Sequence, residues 1–139
     1  MAGEYGACSE LHKREIAANI TFGKEKAVDI VIISDNKVWN IEVKTTNKSK
    51  FVTGFFQKFP TPETKPKPDF WVLVYISPNT LATDFYVLTH KEVAKEQMKL
   101  NKMTKWEKVN GVDNIPVSQL EQYKDKWDTI INVVKGGNV

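Results

Sequence analysis

Residues Val28 to Thr46 read VDIVIISDNKVWNIEVKTT, two strand-like runs joined by a turn. The first run, Val28 to Ile33, is almost continuously apolar and β-branched, so it suits a central strand buried on both faces; Asp29 breaks it near its start. Ser34, Asp35 and Asn36 form a polar cluster of the kind that joins hairpin strands. The second run, Lys37 to Lys44, alternates. Trp39, Ile41 and Val43 share one face, and Asn40, Glu42 and Lys44 share the other. Glu42 and Lys44 therefore point the same way, and tight pairing of the hairpin brings Asp29 close to them.

An Asp, a Glu and a Lys at the end of an apolar hairpin form a chemically coherent set. Two carboxylates are hard oxygen ligands for Mg²⁺ or Mn²⁺. Such an ion lowers the pKa of a bound water and offsets charge on a phosphate. The lysine can orient or deprotonate that water, or hold a phosphate oxygen. Taken in isolation, E-x-K is most simply a surface ion pair worth under about 1 kcal/mol, and Asp29 merely opens a strand.

The set resembles the core motif of the PD-(D/E)xK nuclease superfamily, whose fold is restriction-endonuclease-like. That motif has an acid at the start of one strand and E-x-K on the next. Asp29 takes the first position, and Glu42 and Lys44 take the others. The proline that often precedes the acid is replaced by Val28, which removes no ligand. A longer pattern is also similar to that of largely uncharacterised bacterial relatives: a Gly-Glu helix start at Gly3-Glu4, then Thr21-Phe22-Gly23, Val28-Asp29-Ile30 and Val43-Lys44-Thr45. The resemblance covers most of the chain and is best over Gly3 to Thr45 and Phe70 to Ala94.

Composition is compatible with this. The 139 residues suit a single domain, 1–139, with 41% hydrophobic and 27% charged residues and a net charge of +3. That charge permits a polyanionic partner without requiring one. No apolar run is long enough to span a bilayer, and no signal peptide is visible. Cys8 is the one cysteine, which excludes an intrachain disulfide and a Cys-cluster zinc site and fits a reducing cytoplasm.

Helix formers run from Gly3 to Ala17 without proline. Glu4 lies on the same line as Cys8 and Leu11, the line that would press on a sheet. Interaction with the helix N-terminus is one reason for a carboxylate there; the resemblance implies another, a third acid near the metal site. Glu10 falls on the other face with Lys13 and Arg14. Ile20 to Gly23 reads as a short strand and Gly23 to Lys26 as a turn into the hairpin.

Thr46 to Pro68 reads as a long loop, of the kind that is functional or mobile more often than incidental. Lys48, Lys50, Lys58, Lys65 and Lys67 face one acid, Glu63. Lys48, Lys50 and Lys58 suit contacts to phosphates beside the E-x-K site, or a solubilising surface. The interleaved Phe51, Phe55, Phe56 and Phe59 suit either stacking on an exposed base or a strand or short helix packed on the core.

Downstream, Phe70 to Ile76 reads as a buried strand and Asp84 to Leu88 as its successor. Thr89 and Glu92 form a capping box that opens a helix, at whose start His90 is expected in solvent; His12 is expected on a helix surface. Neither has a partner at zinc-ligand spacing. Trp106 and Val109 are expected to anchor a lysine-rich connector. Ser118 and Glu121 form a second capping box, opening a helix to about Val134 whose Leu120, Tyr123, Trp127, Ile130, Ile131 and Val134 are core.

These readings converge on an α/β (α+β) fold with a mixed central sheet flanked by helices, a restriction-endonuclease-like core. The resemblance implies a metal-dependent nuclease acting on DNA. Asp29 and Glu42 would bind Mg²⁺ or Mn²⁺, Lys44 would position or activate the attacking water, and Glu4 would support the cluster. A lapsed nucleic-acid-binding module, or a small subunit of a defence or repair assembly, is the alternative. One active site per chain makes a homodimer the expectation for cutting both strands.

Overall fold

Gly3, Ala7 and Leu11 form the buried line of the first helix, α1 (Ala2–Lys13). The computed structural model describes residues 1–21, 29–110 and 113–136. The helix stops short of the expected Ala17, because the chain turns out at Arg14 and Glu15, the latter at φ 63°. Strand β1 (Ala18–Ile20) comes slightly earlier than the strand expected over Ile20 to Gly23. The expected turn over Gly23 to Lys26, and the motif residues Phe22, Gly23 and Val28, lie outside the described residues.

The hairpin forms where its pattern puts it, as β2 (Ile30–Ser34) and β3 (Lys37–Thr46), with Ile30 paired to Ile41 and Ser34 to Lys37. Asp35 and Asn36 lie at φ 50° and 64°. Two consecutive left-handed residues make the tight turn whose twist matches that of paired strands, and Asp and Asn tolerate it better than most residues.

The segment expected as a loop is a crossover. It contains β4 (Lys50–Val52) and a single-turn helix, α2 (Phe55–Lys58), and leads to β5 (Phe70–Ile76). β5 lies parallel to β3, with Glu42 beside Trp71 and Lys44 beside Leu73. Parallel neighbours cannot be joined by a tight turn, so the intervening chain must cross one face of the sheet and bury its apolar side chains there. Phe51, Phe55, Phe56 and Phe59 are buried accordingly. Of the two readings of these rings, core packing holds and base stacking is excluded.

β6 (Thr83–Thr89) returns antiparallel and completes the sheet in the order β1-β2-β3-β5-β6. The Thr89–Glu92 capping box opens α3 (His90–Asn101). β7 (Asn114–Pro116) pairs with β4 in a second, two-stranded sheet. Two cores result. On one face Ile30, Ile41, Val43 and Val72 pack with α1 and the C-terminal Trp127 and Ile130. On the other, Trp71 and Leu73 pack with the crossover phenylalanines and with Val93 and Ala94 of α3.

Three expectations are corrected. β2 is not buried on both faces: Ile30 and Ile32 are buried, but Ile33 is 60% exposed. The α2–α3 layer packs on β5 and β6, so β2 has one covered face. The C-terminal helix is broken into a 3-10 segment (Val117–Tyr123), α4 (Asp128–Ile131) and a wider π turn (Asn132–Gly136). Between the first two, Lys124 bridges to Tyr86, and Asp125, at φ 54°, donates its N–H to the Phe85 carbonyl at 2.8 Å. The open edge of β6 thereby gains partners at the helix's expense. The 3-10 segment has Pro116 as its N-cap with no side-chain cap bond, so the Ser118 box does not form.

His90 is the third correction. It is buried, and its Nδ1 accepts the Trp71 Nε1–H at 3.0 Å, among Phe55, Phe59 and Trp106. Burial pulls its pKa down to about 4, so the ring is neutral. His12 is on the helix surface as expected, its Nε2 2.8 Å from the Ala18 carbonyl oxygen.

Candidate active site

Alternation along β3 sends Glu42 and Lys44 to the α2–α3 face, and the pairing Ile30 to Ile41 carries Asp29 to the level of Glu42. Asp29 stands one residue before β2 and is 8% exposed. Its N–H donates to the Ile41 carbonyl at 3.1 Å. Ile41 is also the ladder partner of Ile30, so two residues of one strand oppose one of the other, as at a β-bulge. Such a step re-aims a side chain. Here the Asp29 carboxylate turns in to accept the Val43 N–H at 2.8 Å through Oδ2.

Glu42 lies beside this acid, its side chain 17% exposed and 3.6 Å from the Lys44 ammonium. Burial, and next the charge of Asp29, push the Glu42 carboxyl above the usual carboxylate range, against the pull of Lys44 and Lys58. Two carboxylates that repel each other in a partly dry site are a donor set a divalent cation would relieve. Hard oxygens suit Mg²⁺ or Mn²⁺, so the residues present fit such an ion. Among the described residues, no third acid, histidine or cysteine closes this pair into a larger ligand group.

Of Lys48, Lys50 and Lys58, the lysines expected as phosphate contacts beside the E-x-K site, Lys58 is the one that joins the cluster. α2 delivers it to the same face. Although the residue as a whole is exposed, its ammonium is drawn below the ordinary lysine range, first by desolvation and then by the like charge of Lys44. Glu42 and Asp29 act in the opposite direction. α2 is held by buried Phe55 and Phe56 and by buried Asp113, whose Oδ2 accepts the Phe56 N–H at 2.7 Å. Asn101 donates to the other oxygen of that carboxylate at 3.0 Å. Thr53 precedes the turn and donates to Gln97 of α3 at 2.6 Å. Asp113 and Thr53 thus position Lys58 from residues that look like ordinary turn formers.

Glu4 is placed differently. α1 lies over the face that carries Ile41 and Val43, opposite Glu42, and begins against Thr45: a Cβ on Gly3 would collide with the Thr45 hydroxyl. Glu4 sits beside this approach with its side chain 15% exposed, paired at 3.4 Å with the terminal ammonium. It is not among the charges that shift Glu42. Lys48 and Lys50 are exposed, Lys50 opening β4, and neither acts on Glu42. Glu10 pairs with Lys13 and Arg14 on the far side of α1.

Neither a protein-family model nor a curated protein matches the sequence. Solved structures do. A bacterial homing endonuclease is similar with a TM-score of 0.56 and 14% identity, over 98% of this chain and 91% of that one. The Holliday junction resolvase of the archaeal hyperthermophile Archaeoglobus fulgidus is similar with a TM-score of 0.51 and 14% identity, over 92% of each chain. The order of helix, hairpin, parallel crossover and antiparallel return, together with the likeness to these two structures, shows a restriction-endonuclease-like fold.

Proposed function

We propose that the protein is a metal-dependent nuclease that hydrolyses phosphodiester bonds, with DNA as its substrate. The observation that carries this reading is the meeting of Asp29, Glu42, Lys44 and Lys58 on one face of the sheet. Asp29 and Glu42 would hold Mg²⁺ or Mn²⁺, which when bound lowers the pKa of a coordinated water and offsets phosphate charge.

The protein's own groups do the rest. Lys44 orients the water whose oxygen attacks phosphorus and steadies the charge that develops as the phosphorus–oxygen bond to the leaving group breaks. Lys58 holds a non-bridging phosphate oxygen from the α2 side. The bond from Val43 fixes the Asp29 carboxylate, so that acid is oriented in advance. Glu4 would act from the other face of the sheet, through the packing of α1 against Thr45, the neighbour of Lys44. Lys48 and Lys50 extend the basic surface along the emerging strand.

Purified protein should nick plasmid DNA with Mg²⁺ or Mn²⁺ and lose that activity on chelation. Lys44→Ala should abolish nicking; equal cutting by this variant would refute its role. Among the described residues the ligand set stops at two acids, which favours a second reading, a binding module whose chemistry has lapsed. Salt-dependent DNA binding without cleavage in either metal would select that reading.

A further inference from the structure

The surface of α3 next to the active-site face carries a feature that cleavage chemistry does not use. Lys91, Lys95 and Lys99 recur every fourth residue and are exposed, so they form one stripe about 6 Å apart along the helix axis. Like charges at this spacing repel each other. Glu92, the acid nearest in register, is engaged in the helix cap, and Glu96 is buried and bonded to Tyr123 and Gln119. Among the described residues, none of the three lysines has an ion-pair partner.

Beside the stripe the connector folds back. Lys102 turns through φ 55°, Met103 donates its N–H to the Met98 carbonyl at 2.9 Å, and Trp106 is pinned by its Nε1–H on the Phe59 carbonyl at 2.7 Å. Between helix and connector lies an open depression of about 480 Å³, walled by the three lysines. Its floor is apolar: Ala94, Met98, Met103 and Trp106. Trp106 also packs against Phe55 and Phe56 of α2. Phe59, which holds it, directly follows Lys58 in the chain. The groove is therefore tied, through Phe59, to the α2 turn that carries Lys58.

We propose that this groove binds unpaired nucleotides of a nucleic-acid strand, with successive phosphates on Lys91, Lys95 and Lys99 and a base against Trp106. The charge complementarity selects a polyanion, and the rise of one helical turn between lysines is of the order of the separation of neighbouring phosphates. The apolar floor selects a ligand that offers a flat apolar face. A duplex hides its base faces in the stack, whereas a single strand exposes them. The inference rests on the nuclease reading and narrows it: the substrate carries a single-stranded segment.

The test is binding of a fluorescein-labelled oligothymidylate of ~12 nucleotides, and of a duplex of equal length, measured in EDTA by anisotropy over a salt series. Lys91→Gln/Lys95→Gln should weaken single-strand binding at least tenfold, and the slope of log K against log salt should fall by about 1.4, since each single-strand phosphate contact contributes about 0.7. Trp106→Leu should weaken it further, and Trp106→Phe should restore most of the loss. The lysine variant is at the surface and keeps the test valid if Trp106→Leu fails to fold. Unchanged affinity and slope in the lysine variant would overturn the groove and leave the nuclease reading intact. So would tight binding of poly-glutamate in place of the oligonucleotide, which would mark a site for an acidic protein. Groove-dependent binding by a protein that cleaves nothing in Mg²⁺ or Mn²⁺ would uphold the groove and remove the nuclease reading.

Discussion

Glu42→Gln should make the protein more stable while ending its activity. Glutamine keeps the shape of the side chain and removes the charge. In the wild type, burial and the Asp29 carboxylate disfavour that charge more than Lys44 and Lys58 favour it, because the Glu42 pKa is raised, not lowered. The sign of the pH dependence follows. A carboxyl whose folded pKa lies above its unfolded value of 4.5 holds a proton in the folded state that the unfolded state has already lost. Wild-type stability therefore falls as pH rises through that window, and the penalty is complete above the folded pKa. The opposing attraction is a loose, partly buried pair with Lys44 at 3.6 Å, worth about 1 kcal/mol. The net gain for the variant at neutral pH should then be about 1 kcal/mol, seen as a Tm increase of about 2–5 °C in a domain of this size. Urea melts at pH 7.5 and pH 4 in EDTA would measure it, with the two proteins converging at the lower pH. Saturating Mn²⁺ should reverse the order, since metal at a hundred times its Kd adds about 2.7 kcal/mol to the wild type and far less to the variant. A Glu42→Gln protein less stable than wild type in EDTA at pH 7.5 would refute the reasoning, by showing Glu42 to be a structural ion-pair partner of the two lysines.

Other outcomes follow from the same geometry. Lys58→Met should lower nicking roughly tenfold to a hundredfold, the worth of one hydrogen bond to a charged group, and reduce the salt slope for duplex binding by about 0.9; unchanged kinetics would remove Lys58 from the site. His90, held neutral with a pKa of about 4 against an ordinary 6.5, should cost up to about 3 kcal/mol of stability as pH falls from 6.5 to 4. In a His90→Gln protein that slope in urea melts should flatten, and a slope that persists would locate the effect elsewhere. Gly3→Ala should destabilise the fold: overpacking against Thr45 costs about 1–3 kcal/mol, more than the helix propensity alanine returns, about 1 kcal/mol. A more stable Gly3→Ala protein would show that Thr45 rotates away freely.

Much of this architecture is legible in the sequence, because it rests on local signals. The alternation of Trp39, Ile41 and Val43 against Asn40, Glu42 and Lys44 fixes which side of β3 meets the core. Asp35-Asn36 fixes the hairpin turn, and Thr89 with Glu92 fixes the start of α3. The failures lie where a long-range partner decides. The crossover phenylalanines read as a loop because α2 is a single turn, shorter than any helical period reveals, and is held by Asp113 far along the chain. The C-terminal residues kept their buried faces but lost their continuous helix to the edge of β6. His90 looked exposed because nothing local foretells that Trp71, on a neighbouring strand, needs an acceptor. The lysine-rich stretch marks Lys58 as one of several phosphate contacts; its place beside Lys44 is a product of the crossover, not of any motif.

The most direct test of the central claim is anomalous diffraction from a crystal soaked in Mn²⁺, paired with a nicking assay on the same preparation. The account predicts one manganese peak bridging the carboxylates of Asp29 and Glu42, with the Lys44 ammonium beside it. Manganese bound elsewhere, or none between these two acids in a protein that cuts DNA, would contradict it.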